Sequence, residues 1–396
     1  MNDTVFALIR ESLFPGKETV ISDDINWEDV YKEMKAQAIA ALPLHWLREH
    51  PLPDEAVYND WIRTCYKQEN HWVLLMGAQT GLVSLLDRHQ IPFVIIKGAA
   101  AAMAYPDPYL RAAGDVDFLV RRCDYEKTAA LLEESGFELN HEKLSWMHHY
   151  GYKYRKVSFE LHCRLGSIKQ SDDRLISLFE EGIMNSERKE IGSFSFPVLP
   201  EDLNGLSLLF HINQHLRTGL GLRQIIDWMM YIDRLPTDVW DNQVLPLLRQ
   251  TGMEKLALTV IAMCQRYLGL RKIVDESESY PGWELMDYIL EKGNFGRKSG
   301  KYGKISSVSL VSSSPVRFWK RLQKGGTLIA IGGEAFSGIV RSNKTAAFIV
   351  DQLKTETTEE QIVDAMCARY DAPRETIAAD VREILDTMRR INAIDE

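Results

Sequence analysis

The sequence predicts an α+β chain: a helical N-terminal region, a small mixed sheet, a helical bundle and a compact C-terminal module. Three observations predict it. Apolar residues recur at helical spacing through residues 1–90 and again from Pro200 to about residue 292. Between those regions, short β-branched or alternating runs are separated by single helices, the order expected of a small mixed sheet. Near the C-terminus, two β-branched runs flank Gly332-Gly333 and lead into further helical periodicity, which reads as a hairpin followed by helices.

Asp24 to Trp46 carries Ile25, Val30, Met34, Ala38 and Leu42 at helical spacing. Pro53 opens a long helix to about Gln90, with Trp61, Tyr66, Trp72, Leu75 and Leu82 on its apolar side. Phe93-Val94-Ile95-Ile96 is a buried strand by length and branching. A small-residue helix (Ala99 to Ala104) and a Pro-rich turn (Pro106-Asp107-Pro108) lead to a second strand, Asp115 to Val120. Tyr125 to Ser135 is a helix stopped by Gly136. Phe137–Glu142, Tyr150–Arg155 and the alternating run Val157–Cys163 are further strands. Glu201–Leu216, Leu222–Leu235, Val244–Leu248 and Leu256–Leu268 are the helices of the following bundle. Lys292 to Lys324 is rich in Gly and Ser with only basic charges, a connector or a basic surface loop. In the last module, Thr327–Ile331 and Ala335–Val340 form the hairpin. Helices follow at Asn343–Leu353, Thr358–Tyr370 (capped by Thr357 or Thr358) and Pro373–Ile391. The expected domains are residues 1–90, 91–199, 200–291, a linker at 292–321, and 322–396.

The 396 residues suit two or three domains. A net charge of −9 argues against a general nucleic-acid binder. No run approaches the roughly 18 apolar residues of a membrane helix, and the first residues show no signal-peptide pattern, so a cytoplasmic protein without membrane contact is expected. The five cysteines are scattered without a CxxC, which fits reduced thiols and disfavours cysteine-ligated zinc.

The chemistry concentrates around Asp115-Val116-Asp117. Alternate residues of a strand share a face, so the two carboxylates converge while Val116 and Phe118 face inward. Converging carboxylates invite a hard dication such as Mg²⁺, which is held by one or two carboxylates plus substrate phosphates. Upstream, Lys97-Gly98 ends a strand; the glycine lets backbone N–H groups approach a phosphate, and Lys97 can offset its charge. Glu160 sits on an alternating strand with His162 on its own side and Phe159 and Leu161 on the other. A third carboxylate on a neighbouring strand completes a two-metal site, or serves as the base that accepts a hydroxyl proton. His162 is then a ligand's partner or a hydrogen-bonded strand-end histidine. His211 and His215 lie four apart on a helix, a spacing that binds a metal or packs as a pair. Arg223 and Asp227 bind substrate or pair between helices.

This set resembles the DNA polymerase β-type nucleotidyltransferase superfamily. More specifically, it resembles bacterial nucleotidyltransferase-family proteins that carry Lys-Gly, then Tyr-Pro-x-Pro-x-x-Arg-x-x-Gly-Asp-x-Asp, then Glu-Leu-His. Those motifs read here as Lys97-Gly98, Tyr105 through Asp117, and Glu160-Leu161-His162. The resemblance covers roughly residues 25–290 and includes the polar cluster His211, His215, Arg217, Arg223 and Asp227. It implies Asp115, Asp117 and Glu160 as catalytic metal ligands for Mg²⁺ (or Mn²⁺), and Lys97, Gly98 and Arg111 beside the phosphates of an NTP. Where the wider superfamily has Gly-Ser or Gly-Gly at the turn, Gly98 is followed by Ala99-Ala100, so the usual serine hydroxyl contact to phosphate is missing.

The C-terminal module resembles PqqD-like domains through Gly333-Glu334-Ala335-Phe336, Asn343-Lys344-Thr345-Ala346-Ala347-Phe348-Ile349 and the final helices, over roughly residues 322–396. A winged-helix-like architecture and recognition of a precursor peptide follow from that resemblance. The peptide would add as a strand to the hairpin edge at Ala335, Phe336, Ser337 and Ile339. The expected activity is transfer of NMP from an NTP to a hydroxyl of a peptide, protein or small molecule, in maturation of a ribosomally made peptide. The alternative is a catalytically weak or inactive protein of the same fold that acts as a peptide-binding or regulatory, toxin–antitoxin-like module.

Overall fold

The structure, a computed structural model, describes residues 2–14, 21, 25–140, 149–165, 168, 172–216, 219–272, 274, 283–294, 327–332, 337–342 and 357–369. It also describes 374–375, 377–379, 381–382 and 385 of the last helix. The chain divides into two compact units, Met1–Tyr302 and Gly303–Glu396.

The first unit opens with α1 (Asn2–Leu13), α2 (Trp27–Ala36), α3 (Leu44–Glu49) and α4 (Glu55–Arg88). Asn26 caps α2 by accepting from Asp29 N at 3.2 Å, and Asp54 caps α4 through the amides of Ala56 and Val57. The helical pattern expected from Asp24 to Trp46 is broken in two. Ala38 adopts φ +58°, and Ile39 N closes back on Met34 O at 2.9 Å, a Schellman-type stop that periodicity does not show. Trp61 Nε1 donates to Ala40 O at 2.7 Å and fastens that turn to α4. Tyr66, expected on the apolar side of α4, is instead 44% exposed, with the Arg48 guanidinium 5.5 Å from its ring centre.

The central sheet follows: β1 (Phe93–Ile96), α5 (Gly98–Ala102), β2 (Asp115–Val120), α6 (Tyr125–Glu134), β3 (Glu138–Leu139), β4 (His149–Tyr154) and β5 (Val157–His162). Its strand order is β1-β2-β5-β4-β3, with β2 and β5 parallel and every other pair antiparallel. Val116, Phe118, Phe159 and Leu161 leave one face of the sheet for a core shared with Trp72, Leu82 and Leu86 of α4. The alternate residues Asp115, Asp117, Glu160 and His162 therefore sit on the opposite face. Helix α7 (Asp173–Met184) and the ribbon β6 (Glu187–Ile191) and β7 (Phe194–Val198) come next, and Phe196 and Val198 join the same core.

The bundle contains α8 (Glu201–His215), α9 (Leu222–Arg234), α10 (Thr237–Val239), α11 (Leu245–Thr251), α12 (Glu254–Met263) and α13 (Trp283–Lys292). A buried amide chain ties its ends together. Gln37 Nε2 donates to Ile289 O at 3.1 Å while Gln37 Oε1 accepts from Leu222 N at 3.0 Å. Gln224 Nε2 donates to Asn294 Oδ1 at 2.9 Å. Gly221 is required at this joint, because a Cβ there would lie 2.8 Å from the backbone Cα of Asn294. Among the described residues no helix is long and apolar enough to cross a membrane.

In the second unit, β8 (Thr327–Gly332) pairs antiparallel with β9 (Ser337–Ser342), Thr327 opposite Ser342 and Gly332 opposite Ser337. The second strand thus starts and ends two residues later than the Ala335–Val340 expected. Helix Glu359–Arg369 begins with a reciprocal cap: Thr358 Oγ1 accepts from Gln361 N, and Gln361 Oε1 accepts from Thr358 N. Ile362, Val363 and Met366 bury against Ile377, Val381 and Leu385. Ala335, Phe336, the expected helix Asn343–Leu353 and residues 295–321 of the expected linker lie outside the described residues.

Candidate active site

The parallel pairing of β2 with β5 sets Asp117 directly opposite Glu160, and the antiparallel pairing of β1 sets Ile96 opposite Asp117. Neighbouring strands lie about 4.8 Å apart, so residues in that register on one face converge. One donor atom from each of Asp117, Glu160 and His162 falls within 4.8 Å of the others. His162 Nε2 is 2.9 Å from Asp117 Oδ1 and 3.7 Å from Glu160 Oε2. Lys97 Nζ donates to the same Asp117 oxygen at 2.8 Å. All four side chains are largely buried.

Lys97 reaches Asp117 because the chain turns sharply behind β1. Its backbone sits at φ +54°, ψ −131°, a region that non-glycine residues occupy at a cost of about 1–3 kcal/mol. Gly98 follows at φ +22°. This elbow ends the strand and starts α5 within one residue, which returns the ammonium across the face of β2. Helix α5 is only five residues long, and Ala99 through Ala102 are buried, so no side-chain hydroxyl lines the turn.

The charges are strongly interdependent. Burial opposes ionisation of Asp117, but Lys97 and His162 outweigh it and hold the carboxyl well below the usual range. Burial likewise opposes the charge on Lys97, and Asp117, with Glu160 and Asp115, keeps its pKa above the ordinary lysine value. Asp115, two residues before Asp117 on the same face, is pushed up to about 7 by burial and then by Asp117 and Glu160. Near neutrality this face therefore carries more negative charge than it can hold unaided, and the two carboxylates with a converging imidazole fit a divalent cation.

Around this centre lies a second buried set. Arg111 Nε and Nη2 donate to the two oxygens of Asp227 at 3.0 and 2.6 Å, Tyr105 Oη donates to Asp227 Oδ1 at 2.8 Å, and Arg111 is 2% exposed. Arg111 Nη1 and Arg223 Nη1 both donate to Ala112 O. Arg111, expected beside phosphate, thus has three nitrogens engaged by Asp227 and Ala112. The Tyr105–Ala112 segment is laced to α9, and three residues later the chain enters β2 at Asp115. His211 and His215 meet edge to face with ring centres 4.5 Å apart. Burial, then His215, Lys97 and Arg223, hold His211 well below the ordinary histidine value, while burial, Lys97 and Arg223 lower His215 to about 3. Both imidazoles are neutral at pH 7.

The residues expected for the site in the first unit therefore gather around one face of β2 and β5. Sequence reasoning did not single out the Tyr105 hydroxyl as an Asp227 partner or the Lys97 elbow. The Tyr-Pro-x-Pro lead-in was the only signal for the first; backbone strain has no signature in composition. In the second unit, the register sets Ser337 opposite Gly332 and Ile339 opposite Ala330.

A family model described as "Uncharacterised nucleotidyltransferase" matches residues 23–269, and one described as "Coenzyme PQQ synthesis protein D (PqqD)" matches residues 325–394. No curated protein matches the chain. Among solved structures, the chain is similar to an antigenic nucleotidyltransferase-like protein from Paracoccidioides brasiliensis. That likeness is 17% identical, covers 51% of this chain and 95% of that one, and has a TM-score of 0.34. The match over residues 23–269 spans more than half of the chain, which belongs to this nucleotidyltransferase family and carries a PqqD domain at its C-terminus.

Proposed function

We propose that the chain is a cation-dependent nucleotidyltransferase that transfers NMP from an NTP to a hydroxyl of a peptide, protein or small-molecule acceptor. The observation that carries this reading is the register of Asp117 against Glu160, with Lys97 bonded to Asp117. Asp115, Asp117 and Glu160 would hold the cation, Mg²⁺ or Mn²⁺, with His162 on Asp117. When bound, such a cation lowers the pKa of an attacking hydroxyl and offsets charge on the departing pyrophosphate. Lys97 would compensate triphosphate charge, and the buried walls from α5, α8 and α9 would exclude water. The PqqD domain supports a ribosomally made peptide as the molecule delivered, with Ala335, Phe336, Ser337 and Ile339 along the docking edge.

The test uses the full chain, α-labelled NTPs and short peptides encoded by neighbouring genes, co-expressed with it, with mass spectrometry of the peptides. Label transfer with pyrophosphate release is expected from the parent and less than about 1% of it from Asp117→Asn, as for loss of a metal ligand. No nucleotide binding by the parent in Mg²⁺ or Mn²⁺ defeats the enzyme reading.

A second reading rests on a specific observation. Lys97 and His162 both engage Asp117 Oδ1, and Ala99-Ala100 offers no hydroxyl at the turn. In that reading the chain binds nucleotide and peptide without transfer, as a binding or regulatory module. Cation-dependent ATP binding with no labelled product under any acceptor would single it out.

A further inference from the structure

We propose that Arg111 and Asp227 are positioning residues for Asp115 rather than phosphate ligands: through the segment Met103–Ala112 they fix where the chain enters β2. The proposal rests on the nucleotidyltransferase reading for what Asp115 does, and on the fold alone for how Asp115 is held.

Asp115 needs such support because the sheet grips it from one side. β1 pairs with β2 from Asp117 to Val120, Ile96 lying opposite Asp117, so that ladder stops short of Asp115. Among the described residues, Asp117 thus has a partner strand on both sides, whereas Asp115 is paired only with Ser158 of β5. Gly114, just before it, adds no side chain, and a Cβ there would meet nothing within 4 Å, so packing around the lead-in is open.

Helix α9 supplies the anchor. At about 100° per residue, the positions of Asp227 and Arg234 return to within about 40° of Arg223, so the three share one side of the helix. All three engage the segment that leads to β2. Arg234 donates to Met103 O at 2.7 Å and to Tyr105 O at 3.2 Å. Asp227 accepts from Tyr105 Oη and twice from Arg111. The Ala112 carbonyl, three residues before Asp115, receives both the Arg111 and the Arg223 guanidinium.

The chemistry of the pair fits this role better than either alternative. Arg111 has Nε and Nη2 committed to Asp227 and Nη1 to Ala112 O, so taking a phosphate would break that fork. A buried ion pair also adds little stability over well-packed apolar side chains, because both charges lose their hydration. What a planar guanidinium held by two parallel hydrogen bonds does supply is a fixed direction.

The test is the double variant Arg111→Met with Asp227→Leu in the full chain, which keeps the site filled and removes the polar fork. Hydrogen–deuterium exchange without nucleotide or cation should be at least about 10-fold faster than in the parent at the amides of residues 112–116. At residues 159–161 of β5 it should stay within about 3-fold. Isothermal titration with ATP, CTP, GTP and UTP in Mg²⁺ should give a Kd within about 3-fold of the parent's for whichever nucleotide the parent binds. The rate constant for label transfer should fall about 100-fold, the loss carried by a misplacement of about 1 Å. Trp61→Phe, a destabilising change outside this segment, should move none of these readouts by more than about 3-fold, which separates positioning from a general loss of stability. If circular dichroism shows the double variant unfolded, Tyr105→Phe takes its place. It removes one hydroxyl, leaves the ion pair, and should speed exchange at residues 112–116 about 3-fold.

Equal exchange at residues 112–116 in variant and parent overturns the proposal. So does a Kd raised more than about 10-fold, which would put Arg111 on phosphate. The two readings fail separately. If the parent transfers no label, the enzyme reading falls, and exchange still decides how Asp115 is held. Transfer by the variant at the parent's rate keeps the enzyme and removes the positioning role.

Discussion

Acidification should destabilise the first unit through His211, and the size of the effect follows from its burial. The imidazole is 8% exposed, and burial together with His215, Lys97 and Arg223 keeps it neutral far below the ordinary histidine range. In the unfolded chain it protonates near pH 6.5. A folded pKa depressed below the unfolded one contributes stability that is complete above 6.5 and is lost as pH falls beneath it, because the unfolded state then binds one more proton. One proton corresponds to about 1.4 kcal/mol per pH unit. His211→Gln removes that proton from the balance. Between pH 6.5 and 5.0 the parent should lose about 2 kcal/mol more than the variant. His215 acts in the same direction, with a smaller share because it is partly exposed. Asp115, whose pKa is raised, acts in the opposite direction through the same window, so the informative quantity is the difference between the two chains rather than either curve alone. The assay is urea unfolding followed by tryptophan emission at several pH values. Eight of the nine tryptophans precede residue 303 and therefore report the first unit. Parallel curves for parent and variant, within about 0.5 kcal/mol across that interval, would refute the assignment of a neutral buried His211.

Other substitutions test the scaffold. Asp227→Ala leaves the Arg111 guanidinium buried and unpaired and should cost about 3–5 kcal/mol, whereas Arg111→Met combined with Asp227→Leu should recover a large part of that loss; urea midpoints decide between these. Gly221→Ala forces a Cβ against the Asn294 backbone and should cost about 1–3 kcal/mol, seen as a lower thermal midpoint. Trp61→Phe leaves the buried Ala40 carbonyl only the weak Cys65 thiol donor at 3.6 Å and should cost about 1 kcal/mol by the same measurement.

Much of the central sheet was legible because its strands obey one rule. The run Asp115–Val120 and the alternation Val157–His162 separate a core face from a polar face, and the structure places β2 and β5 over those residues. The cap at Thr358 and the stop at Gly136 were legible for similarly local reasons. Elsewhere the pattern carries little signal. In β6, Glu187-Arg188-Lys189-Glu190 is a charged run whose strand character comes only from pairing with β7. The break at Ala38 depends on a left-handed alanine, which propensity disfavours and only tertiary packing supports. Site geometry was legible by residue type but not by partner. The family resemblance implies Arg111 beside phosphate, and only the fold brings Asp227, 116 positions later, to its guanidinium.

The amide chain around Asn294 has a mechanical side. The last described residue of the first unit is knotted to the opening turn of α9, and a few residues along that helix Asp227 grips Arg111. A pull on the chain at residue 294 is therefore borne first by the helix that braces the entry to β2. Slack is absent at that joint, since even a methyl group at Gly221 would collide with the Asn294 backbone. Tension along the chain and the stance of Asp115 share one load path.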